Sequence, residues 1–566
     1  MKKNIRIATM AALSVAALTL GACADGATTG TGSQSASGQG SAEFEIKAAG
    51  DYNPLERDQI KDGGELVLPI SEIPEQLNRF HGNSSADTTR IWRYFNPQIA
   101  LFDGDGTWHA NPAYLTDVKD DIVDGNLVLT WDIHPDATFN DGTPIDWTAF
   151  ENTWKMNNGS NPQVVPSGTD GYERISAVTR GDDDKQVIIT FDGTYPWWQG
   201  LFNSILHPKV NDPATFNESY INTLHPEWGA GPFIVDSFDP NANTVTFVRN
   251  DKWWGETAKL EKLTLRAMEN LATINAFKAG EIDAAGVSSK DNLATARGLG
   301  DAIDIRSSVL TSNALMMLNA QAPQLGDIKV REAIVKGIDR ALISEIRFNG
   351  LDYTEELPGS LTYFTFQPGY EDNFSSVGAF DPEKSQALLD EAGWVAGSDG
   401  IREKDGQKFS IRYTMLGDSA IDKAFASALQ KMMKDIGVDL SIQERPSSDF
   451  SKIMAAKDFD LFFLSFRSSD PFGAAYFGQL YNTDSELNIS GTGSAELDAK
   501  IDKLQKLPTA EEQIKEANKL EEEAFATYGV VPMYNGPQMV GVKKGLANFG
   551  ATAFADLPVE NIGWAK

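Results

Sequence analysis

The sequence has 566 residues, with 49 lysines and arginines against 80 aspartates and glutamates, which gives a formal net charge of −31 at pH 7. A surface this acidic repels phosphate backbones and anionic lipid headgroups, so the composition argues against binding to nucleic acid or docking on a membrane through basic patches. The chain is too long for one compact core, and at about 150 residues per domain it predicts two to four domains.

The cysteine and histidine content excludes several kinds of site. Cys23 is the one cysteine, so no disulfide can form within the chain and no cysteine-rich metal site exists. No two of the five histidines are three to five residues apart, which excludes the usual spacing of a zinc-binding helix. The sequence contains no nucleophile elbow, Walker loop or complete calcium loop. It therefore predicts no metal, no cofactor and no catalytic residue.

The start of the chain has the order of a secretory signal. Lys2, Lys3 and Arg6 precede a largely apolar stretch at 7–20, and small residues lead up to Cys23. The residues before this cysteine resemble a bacterial lipobox. We therefore predict that the signal is removed and that Cys23 is lipidated and becomes the new N-terminus.

A tether follows the predicted lipidation site. With residues 1–22 as the signal peptide, residues 23–51 are predicted to form the lipid anchor and a flexible tether, because 24–42 consist mainly of Ala, Gly, Ser, Thr and Gln. No later run of 18 or more apolar residues occurs in the sequence. The mature protein is therefore predicted to be soluble but tethered.

The first half of the folded region alternates apolar and polar residues as half-buried strands do. Glu65–Ile70 is predicted as the first strand. Further runs of period two occur at 127–133, 187–191 and 245–247. This part of the chain is therefore predicted to be rich in sheet.

The second half alternates between strand and helix patterns. Phe425, Leu429, Met432 and Ile436 follow helical spacing, and Gly437 stands where that helix should end. With its neighbours this helix gives the order strand, helix, strand, helix, strand over 409–415, 425–436, 438–442, 450–456 and 459–465. This order predicts an α/β layer with a largely parallel sheet.

Local signals mark further elements. Asp327–Arg340 is predicted as one amphipathic helix with its apolar residues on one stripe. Asp381-Pro382 is typical of an N-cap and first helical turn. Thr509 and Glu512 form a predicted capping box at the start of a helix, and 529–534 is predicted as a strand near the end of the chain.

Several short motifs occur along the chain in a fixed order. They are TFNDGTPI at 138–145, GAGPF at 229–233, FVRN at 247–250, AGEID at 279–283, DIKVREAI at 327–334, IDR at 338–340 and LLDEAGW at 388–394. Together they resemble the signature segments of bacterial extracytoplasmic solute-binding proteins of the peptide/nickel family, the receptor subunits of ABC importers. Each motif also has a structural interpretation as a turn or a helix end, so the motifs identify the scaffold rather than the ligand contacts.

The resemblance implies an α/β, two-lobed, periplasmic-binding-protein-like fold with an extra inserted domain and a ligand cleft between the lobes. Domain I would consist of 52–90, 200–290 and 529–566, the inserted domain II of 91–199, and domain III of 291–528. Chain crossings near residues 290 and 528 would form the hinge. Ligand would lie between domains I and III, which would close as it binds.

The segment Phe459–Tyr476 is the most informative about the ligand. In the family's peptide receptors an apolar strand leads to an acidic residue followed by proline, and an aspartate three residues before that pair holds the ammonium group of the peptide. Here the pair is Asp470-Pro471, so the counted position is Arg467, which cannot accept a hydrogen bond or neutralise an ammonium. Three interpretations stay open: Asp470 holds the ammonium after a shift in alignment, Arg467 binds an acidic group of the ligand, or Arg467 forms a salt bridge within its lobe and the ligand is held elsewhere.

The other candidates follow from family position. The predicted ligand-binding residues are Ser84, Ser85, Met415, Leu416, Gly417, Asp418, Phe466, Arg467, Ser468, Asp470 and Phe472. Tyr195, Trp197 and Trp198 form an aromatic cluster, predicted as core of domain II or its seam with domain I, with a cap on a hydrophobic pocket as the alternative. His81 is predicted to pack or to form hydrogen bonds, and binding of metal or haem is the alternative.

The resemblance implies a binding protein that is not an enzyme. It would capture a small solute, an oligopeptide in the leading hypothesis, outside the cytoplasmic membrane and deliver it to the permease subunits of an ABC importer. Alternatives are the same importer role for an anionic, saccharide or metal-chelate ligand, a ligand sensor, and a surface hydrolase. The predicted protein is a monomer that is lipid-anchored on the outer face of the cell membrane, with no nucleic acid partner.

Overall fold

The computed structural model describes residues 45–566, so the predicted signal, the lipidation site Cys23 and most of the tether lie outside the described residues. The helices within them are α1 Ala86–Phe95, α2 Trp147–Asn157, α3 Pro213–Glu218, α4 Asn270–Ala279, α5 Lys290–Arg297, α6 Ile328–Lys336, α7 Arg340–Phe348, α8 Ser375–Gly378, α9 Pro382–Glu391, α10 Ala420–Asp435, α11 Phe450–Ala456, α12 Phe477–Tyr481, α13 Ala495–Leu504 and α14 Ala510–Phe525. Across the described residues, no helix combines the length and the apolar character needed to span a membrane.

The strands are mostly short and belong to seven sheets in this part of the chain. They are β1 Glu65–Ile70, β2 Ala100–Phe102, β3 Trp108–Ala110, β4 Leu115–Val123, β5 Asn126–Ile133, β6 Ile175–Arg180, β7 Gln186–Phe191, β8 Phe233–Asp239, β9 Thr244–Arg249, β10 Lys262–Ala267, β11 Ala284–Gly286, β12 Ile303–Val309, β13 Ser312–Leu318, β14 Val395–Ala396, β15 Arg402–Lys404, β16 Gln407–Lys408, β17 Ser410–Leu416, β18 Asp439–Arg445, β19 Leu461–Arg467, β20 Val530–Tyr534, β21 Pro537–Lys543, β22 Leu546–Ala547 and β23 Gly563–Trp564.

The first sheet has the strand order β1-β10-β9-β8 and packs against helix α1. β1 has the predicted bounds, and its residues Leu66, Leu68 and Ile70 are buried as the alternating pattern requires. β1 and β10 run parallel, whereas the other neighbours run antiparallel. The buried face of β1 shares a core with Ile91 and Phe95 of α1, which fixes this helix on the sheet.

A second four-stranded sheet, β4-β5-β7-β6, is entirely antiparallel. Every second residue of β5 from Leu127 to Ile133 is buried, so the alternation predicted there is confirmed. The other two predicted runs lie in β7 and β9. Helix α2 packs on β6 and β7, so the segment 91–199 holds an antiparallel sheet with one long helix.

The third large sheet has five strands in the order β18-β17-β19-β13-β20. β17 runs parallel to both β18 and β19, as predicted, but β13 runs antiparallel to β19 and to β20. The prediction of a largely parallel sheet is therefore wrong: two of the four pairings are antiparallel. It rested on three strands and missed β13, whose seven residues are all buried and show no alternation.

A small antiparallel sheet, β11-β21-β12, connects to the five-stranded sheet at two places. β12 continues into β13 through residues 310–311, and β20 continues into β21 through residues 535–536. Asn535 joins the two crossings, because its Nδ2 donates to the carbonyl oxygen of Ser312 at 3.1 Å and to Oδ1 of Asn313 at 2.7 Å. The two crossings therefore run side by side.

The division into domains I, II and III, with a hinge near residues 290 and 528, stays a prediction. The described residues form one compact unit. The segment 530–534 was assigned with 529–566 to domain I, but as β20 it pairs with β13 in the five-stranded sheet. The chain thus enters the five-stranded sheet from β12 at the first crossing and leaves it into β21 at the second.

Helix termini follow the local signals with one exception. Gly437 and Gly393 adopt positive φ angles of 87° and 85° just after α10 and α9, as helix-ending glycines do. The single helix predicted over Asp327–Arg340 is wrong, because α6 ends at Lys336 and α7 begins at Arg340. Asp339 causes the new start: its side chain accepts a hydrogen bond from the N–H of Leu342 at 3.0 Å as an N-cap.

Candidate functional site

The candidate site lies where the carboxyl ends of three parallel strands meet. β17, β18 and β19 run in one direction and end at Leu416, Arg445 and Arg467. Because the carboxyl ends of parallel strands open onto one edge of a sheet, the loops that follow them lie along that edge. The predicted segments 417–418 and 468–472 are in these loops.

The opposite side is formed by the loop after β1 and by the first turn of α1. Asp87 accepts hydrogen bonds from the N–H groups of Ser71 at 2.8 Å and Glu72 at 3.1 Å, which holds the loop against the helix. The predicted residue Ser85 is the N-cap of α1, where its Oγ accepts from the N–H of Thr88 at 3.4 Å. Its hydroxyl oxygen therefore has a structural function at the start of the helix.

Hydrogen bonds connect these two sides. Ser451 Oγ donates to Glu72 Oε1 at 2.7 Å across 379 residues of sequence. The N–H and Oγ of Ser447 donate to the two carboxylate oxygens of Glu269 at 2.8 and 2.7 Å. Two distant parts of the chain thus face each other, and we call the space between the sheet edge and α1 the cleft.

Arg467 lies at the sheet edge in this cleft. Its side chain is exposed, yet protein surrounds it, and this loss of bulk water is the main cause that lowers the pKa of its guanidinium to about 10. The charges of Arg90 and Arg93 add to the shift. Among residues 45–566 we find no hydrogen bond or ion pair of the Arg467 side chain. The interpretation of Arg467 as a salt-bridged residue is therefore not supported, because its side chain has no ion-pair partner in this part of the chain.

Arg90 and Arg93 lie on one face of α1, three residues apart. The Nη1 of Arg90 is 3.5 Å from Oδ1 of Asp87, and Nη2 of Arg93 is 3.0 Å from Oδ1 of Asp556. Each of these two arginines therefore has a carboxylate partner. Both guanidinium groups also remain partly exposed beside their carboxylates.

Arg79 adds a fourth guanidinium to this region. It is half-buried in the loop after β1, and desolvation lowers its pKa. The negative charges of Asp556 and Asp470 act against that shift. Its guanidinium lies 5.7 Å from the ring centre of Phe80, a cation–π contact.

Asp470 is buried, and its own loop occupies its carboxylate. Oδ2 accepts hydrogen bonds from the hydroxyl groups of Tyr476 at 2.5 Å and Ser469 at 3.2 Å, and Oδ1 accepts from the N–H of Phe472 at 3.0 Å. Burial raises the pKa of Asp470, and these hydrogen bonds oppose the rise. The contacts weaken the interpretation that Asp470 holds an ammonium group, because its carboxylate already stabilises the loop.

Two predicted residues face the core. Met415 is only 1% exposed. Phe466 lines a small internal cavity with Leu361 and Tyr481, and the alternation along β19 places it on the face opposite to Arg467. Met415 was predicted from its family position after a strand and Phe466 because it flanks Arg467, but successive strand residues point to opposite faces.

The remaining predicted residues lie in the loops of the site. Ser84 Oγ donates to the carbonyl oxygen of Arg79 at 3.2 Å. The N–H of Ser468 donates to the carbonyl oxygen of Thr311 at 2.9 Å. Leu416 and Gly417 are partly exposed at the end of β17. Asp418 accepts a long hydrogen bond of 3.4 Å from the N–H of Leu271, which lies on the other side of the cleft.

The aromatic cluster at 195–198 is core, as predicted. Tyr195, Trp197 and Trp198 are between 3% and 8% exposed. The seam lies with α14, because Trp197 Nε1 donates to Gln513 Oε1 at 2.7 Å. The predicted residue Phe472 packs beside this cluster, with its ring centre 6.0 Å from that of Trp197.

His81 is buried and takes part in a local hydrogen bond. Its Nδ1 accepts from the N–H of Asn83 at 3.0 Å, and burial lowers its pKa to about 4, so the ring is neutral near pH 7. Its ring lies 6.1 Å from that of Phe216. Over the described range no group of three or more histidine, cysteine or acidic side chains is arranged to hold a metal ion.

The structure adds residues that sequence reasoning missed. Arg79 lies in the loop after β1, Arg90 and Arg93 lie on α1, and Glu72 and Glu269 connect the two sides of the cleft. One signal was available: a pair of arginines three residues apart, just after the predicted Ser84 and Ser85. Their proximity to Arg467 depends on contacts between distant segments, which the sequence pattern does not show.

Comparison with known proteins supplies the relatives of this chain. The profile of the family "Bacterial extracellular solute-binding proteins, family 5 Middle" matches residues 110–488. The chain is 32% identical over 530 residues to the "Oligopeptide-binding protein OppA" of Mycobacterium tuberculosis. This match covers 92% of the chain and 88% of that protein.

Solved structures share the fold. AppA from Bacillus subtilis, in complex with a nonapeptide, superposes with a TM-score of 0.76 at 18% identity, covering 90% of this chain and 100% of that one. The periplasmic EDTA-binding protein EppA superposes with a TM-score of 0.76 at 24% identity, covering 93% and 100%. At such identities the likeness concerns the fold, and it confirms the predicted two-lobed α/β architecture.

Proposed function

Because this chain belongs to the bacterial extracellular solute-binding proteins of family 5, we propose that it is the receptor of an ABC importer that closes its cleft around an oligopeptide. The family and the OppA relative support the substrate-binding part of this function. The choice of an oligopeptide as the ligand is supported by the oligopeptide-binding protein OppA, whose match covers 92% of the chain. The proposal further includes membrane attachment through a lipid on Cys23.

The pair of hydrogen-bonded contacts across the cleft is the observation that carries this proposal. Glu72 and Glu269 lie on one side, and Ser451 and Ser447 on the other. A protein that needs to release its ligand gains from bonds of this kind, since water can replace each of them when the sides separate. An apolar seam of the same extent would not reopen as readily.

The proposed mechanism is a shift of population between open and closed forms. A solute that touches both the sheet edge and α1 binds the closed form more tightly than the open form, so it raises the closed population. We place the hinge at the crossings 310–311 and 535–536 instead of near residues 290 and 528, because these two crossings are short and lie side by side. The permease would then recognise the closed form.

We propose receptor function without catalysis. No reaction follows from the geometry, because the best-enclosed charged groups are arginines and hydrogen-bonded carboxylates rather than a nucleophile with a base. Asp470, for example, is held by Tyr476 and by the N–H of Phe472. Binding and release are therefore the proposed cycle.

A binding experiment tests the proposal. The full chain, purified in detergent, is unfolded and refolded to remove co-purified ligand and is then heated with pools of peptides of two to eight residues. At 100 times the dissociation constant a ligand adds about 2.7 kcal/mol to stability, so we expect a clear rise in melting temperature. No shift with any pool contradicts peptide capture. The lipid anchor is tested separately by cell fractionation. We expect the wild type in the membrane fraction and the Cys23→Ala variant to be released from it.

A further inference from the structure

Arg467 stands out as a cation whose neighbours are also cations. It is the last residue of β19, the central strand of the five-stranded sheet, and so lies where the carboxyl ends of the parallel strands meet. Its side chain is exposed within the cleft. The charged groups that act on it are Arg90 and Arg93, and both act to repel it. Its side chain forms no ion pair with a carboxylate within residues 45–566.

The acidic residues near the cleft are engaged elsewhere. Glu72 accepts a hydrogen bond from Ser451, and Asp470 accepts three from its own loop. Asp87 pairs with Arg90 and caps the loop after β1. None of these three carboxylates therefore neutralises Arg467.

The charge of the whole chain makes this arrangement more specific. The sequence has 80 acidic against 49 basic residues, so carboxylates outnumber the cations that they could pair with. Yet Arg467 at the end of β19 has no ion pair within residues 45–566, and the charges that act on it belong to Arg90 and Arg93 of α1. Arg90 and Arg93 themselves pair with Asp87 and Asp556, so of the three guanidinium groups Arg467 is the one with no carboxylate partner in this part of the chain.

We propose that the ligand presents a carboxylate to Arg467, and that Arg90 and Arg93 strengthen the attraction. The inference rests on the proposed receptor function and specifies the chemistry of its ligand. A guanidinium donates two parallel hydrogen bonds to a carboxylate, which gives both affinity and orientation. The closed cleft strengthens this attraction because it excludes much of the surrounding water.

The carboxylate has two chemical sources, an acidic or C-terminal group of a peptide, or a free polycarboxylate such as a chelator. The shared requirement is a planar anionic group that fits between the sheet edge and α1. An ammonium group is disfavoured as the partner of Arg467, because a guanidinium repels a cation and has no hydrogen-bond acceptor to offer it. The experiment therefore varies the ligand's charge and its class separately.

Isothermal titration calorimetry on the full chain in detergent, stripped of ligand by refolding, tests the inference. The first probe is a set of peptide pools of two to eight residues with free C-termini. The second is a matching set in which the acidic side chains are replaced and the C-termini are amidated, so that it carries no carboxylate. The other two probes are citrate and Fe(III)–EDTA. We expect the free-acid pool or a polycarboxylate to bind at least about tenfold more tightly than the amidated pool, the difference that 1.4 kcal/mol gives. Affinity should fall as sodium chloride is added.

Variants assign the effect to the side chain. Arg467→Gln should reduce the affinity for the carboxylate probe by about tenfold or more, and Arg467→Lys should retain part of it, because lysine keeps the charge but loses the planar pair of donors. Arg180→Gln is the matched control: it removes the same charge from an exposed site in the antiparallel sheet, where Arg180 pairs with Asp184. Melting temperatures of the three variants confirm that each is folded.

The outcomes separate the inference from the proposed function. Equal binding of free-acid and amidated pools, or unchanged binding by Arg467→Gln, overturns the carboxylate inference while peptide capture stands. Binding of citrate or Fe(III)–EDTA that depends on Arg467, without binding of any peptide, supports the inference and contradicts the oligopeptide. Absence of binding by every carboxylate probe overturns the inference.

Discussion

Asp170 shows at the scale of one residue how distant parts of the chain are held together. Its carboxylate accepts hydrogen bonds from the N–H groups of Gly478 at 3.1 Å and Gln479 at 2.7 Å, and from the side-chain amide of Gln505. It lies 308 residues before Gly478 in sequence, in the segment predicted as domain II. Burial, together with the negative charge of Glu173, raises its pKa to about 7.

This pKa predicts a pH dependence of stability. The carboxyl group ionises near pH 3.8 in the unfolded chain but only near pH 7 in the folded protein. The contribution of Asp170 to the free energy of unfolding is therefore fully present below pH 3.8. It is lost as the pH rises through 7, because in this range unfolding releases a proton. Asp170→Asn removes this group, so the stability of the wild type relative to the variant should decrease between pH 4 and pH 8. The limit is about 1.4 kcal/mol for each unit of pKa difference.

Urea unfolding at several pH values measures this difference. Asp301→Asn, an exposed aspartate in the same protein, serves as control and should show no such trend. Parallel pH profiles for the wild type and Asp170→Asn would show that Asp170 keeps its ordinary pKa. The three N–H donors around it would then outweigh its burial.

Single residues also show the limit of sequence reasoning. Arg467 could be found by counting back from Asp470-Pro471, since strand and loop are continuous in sequence. Arg90 and Arg93 could not be connected with it, because their proximity arises only when α1 and β19 come together. The sequence therefore identified one member of the charged cluster and none of its neighbours.

At the scale of elements, helices with local caps were predictable. Thr509 caps α14 and Gly437 ends α10, and each of these signals lies beside its own helix in the sequence. β13 was missed, because all of its residues are buried between two neighbouring strands and the run has no period. The break between α6 and α7 was missed because the apolar stripe continues across Gly337, while Asp339 starts a new helix.

The crossing at 535–536 gives a testable case at this scale. Gly536 has a φ of +80°, and a Cβ there would lie 3.2 Å from the ring of Phe348. Its N–H donates to Glu355 Oε2 at 2.7 Å, and that of Asn535 donates to Oε1 at 2.9 Å. Gly536→Ala therefore adds both backbone strain and crowding, and we expect it to destabilise the protein by about 2 kcal/mol.

Gly545→Ala is the matched control for this variant. Gly545 has a φ of +88°, but no described atom lies within 4 Å of the position of its Cβ. It should cost only the backbone strain, about 1 kcal/mol. Chemical denaturation gives both values, and equal costs at the two sites would show that Phe348 moves aside without loss.

At the scale of the whole molecule, the proposed closure of the cleft depends on the polar contacts between its two sides. Glu72 is 3% exposed, burial raises its pKa, and Ser451 on α11 donates to it from across the cleft. Ser451 lies on the sheet-edge side and Glu72 on the side of α1. A change at Ser451 therefore acts on the closed form and leaves each side intact.

Ser451→Ala should weaken ligand binding without unfolding the protein. In the closed form the buried Glu72 carboxyl would lose this donor, which costs about 1–2 kcal/mol, whereas in the open form water replaces the hydroxyl. Because the ligand binds the closed form, its apparent affinity should fall by about 5- to 30-fold. Ser427→Ala is the control, since that hydroxyl donates to the carbonyl oxygen of Lys423 on the exposed face of α10.

Calorimetry with the ligand found by the peptide screen measures the affinity of both variants, and small-angle scattering measures closure. We expect Ser451→Ala to need more ligand to reach the compact form, and Ser427→Ala to behave as the wild type. Equal affinities would mean that Glu72 gains nothing from Ser451 on closing. The contact between Ser447 and Glu269 would then be the one to remove, because it connects the same two sides through two hydrogen bonds.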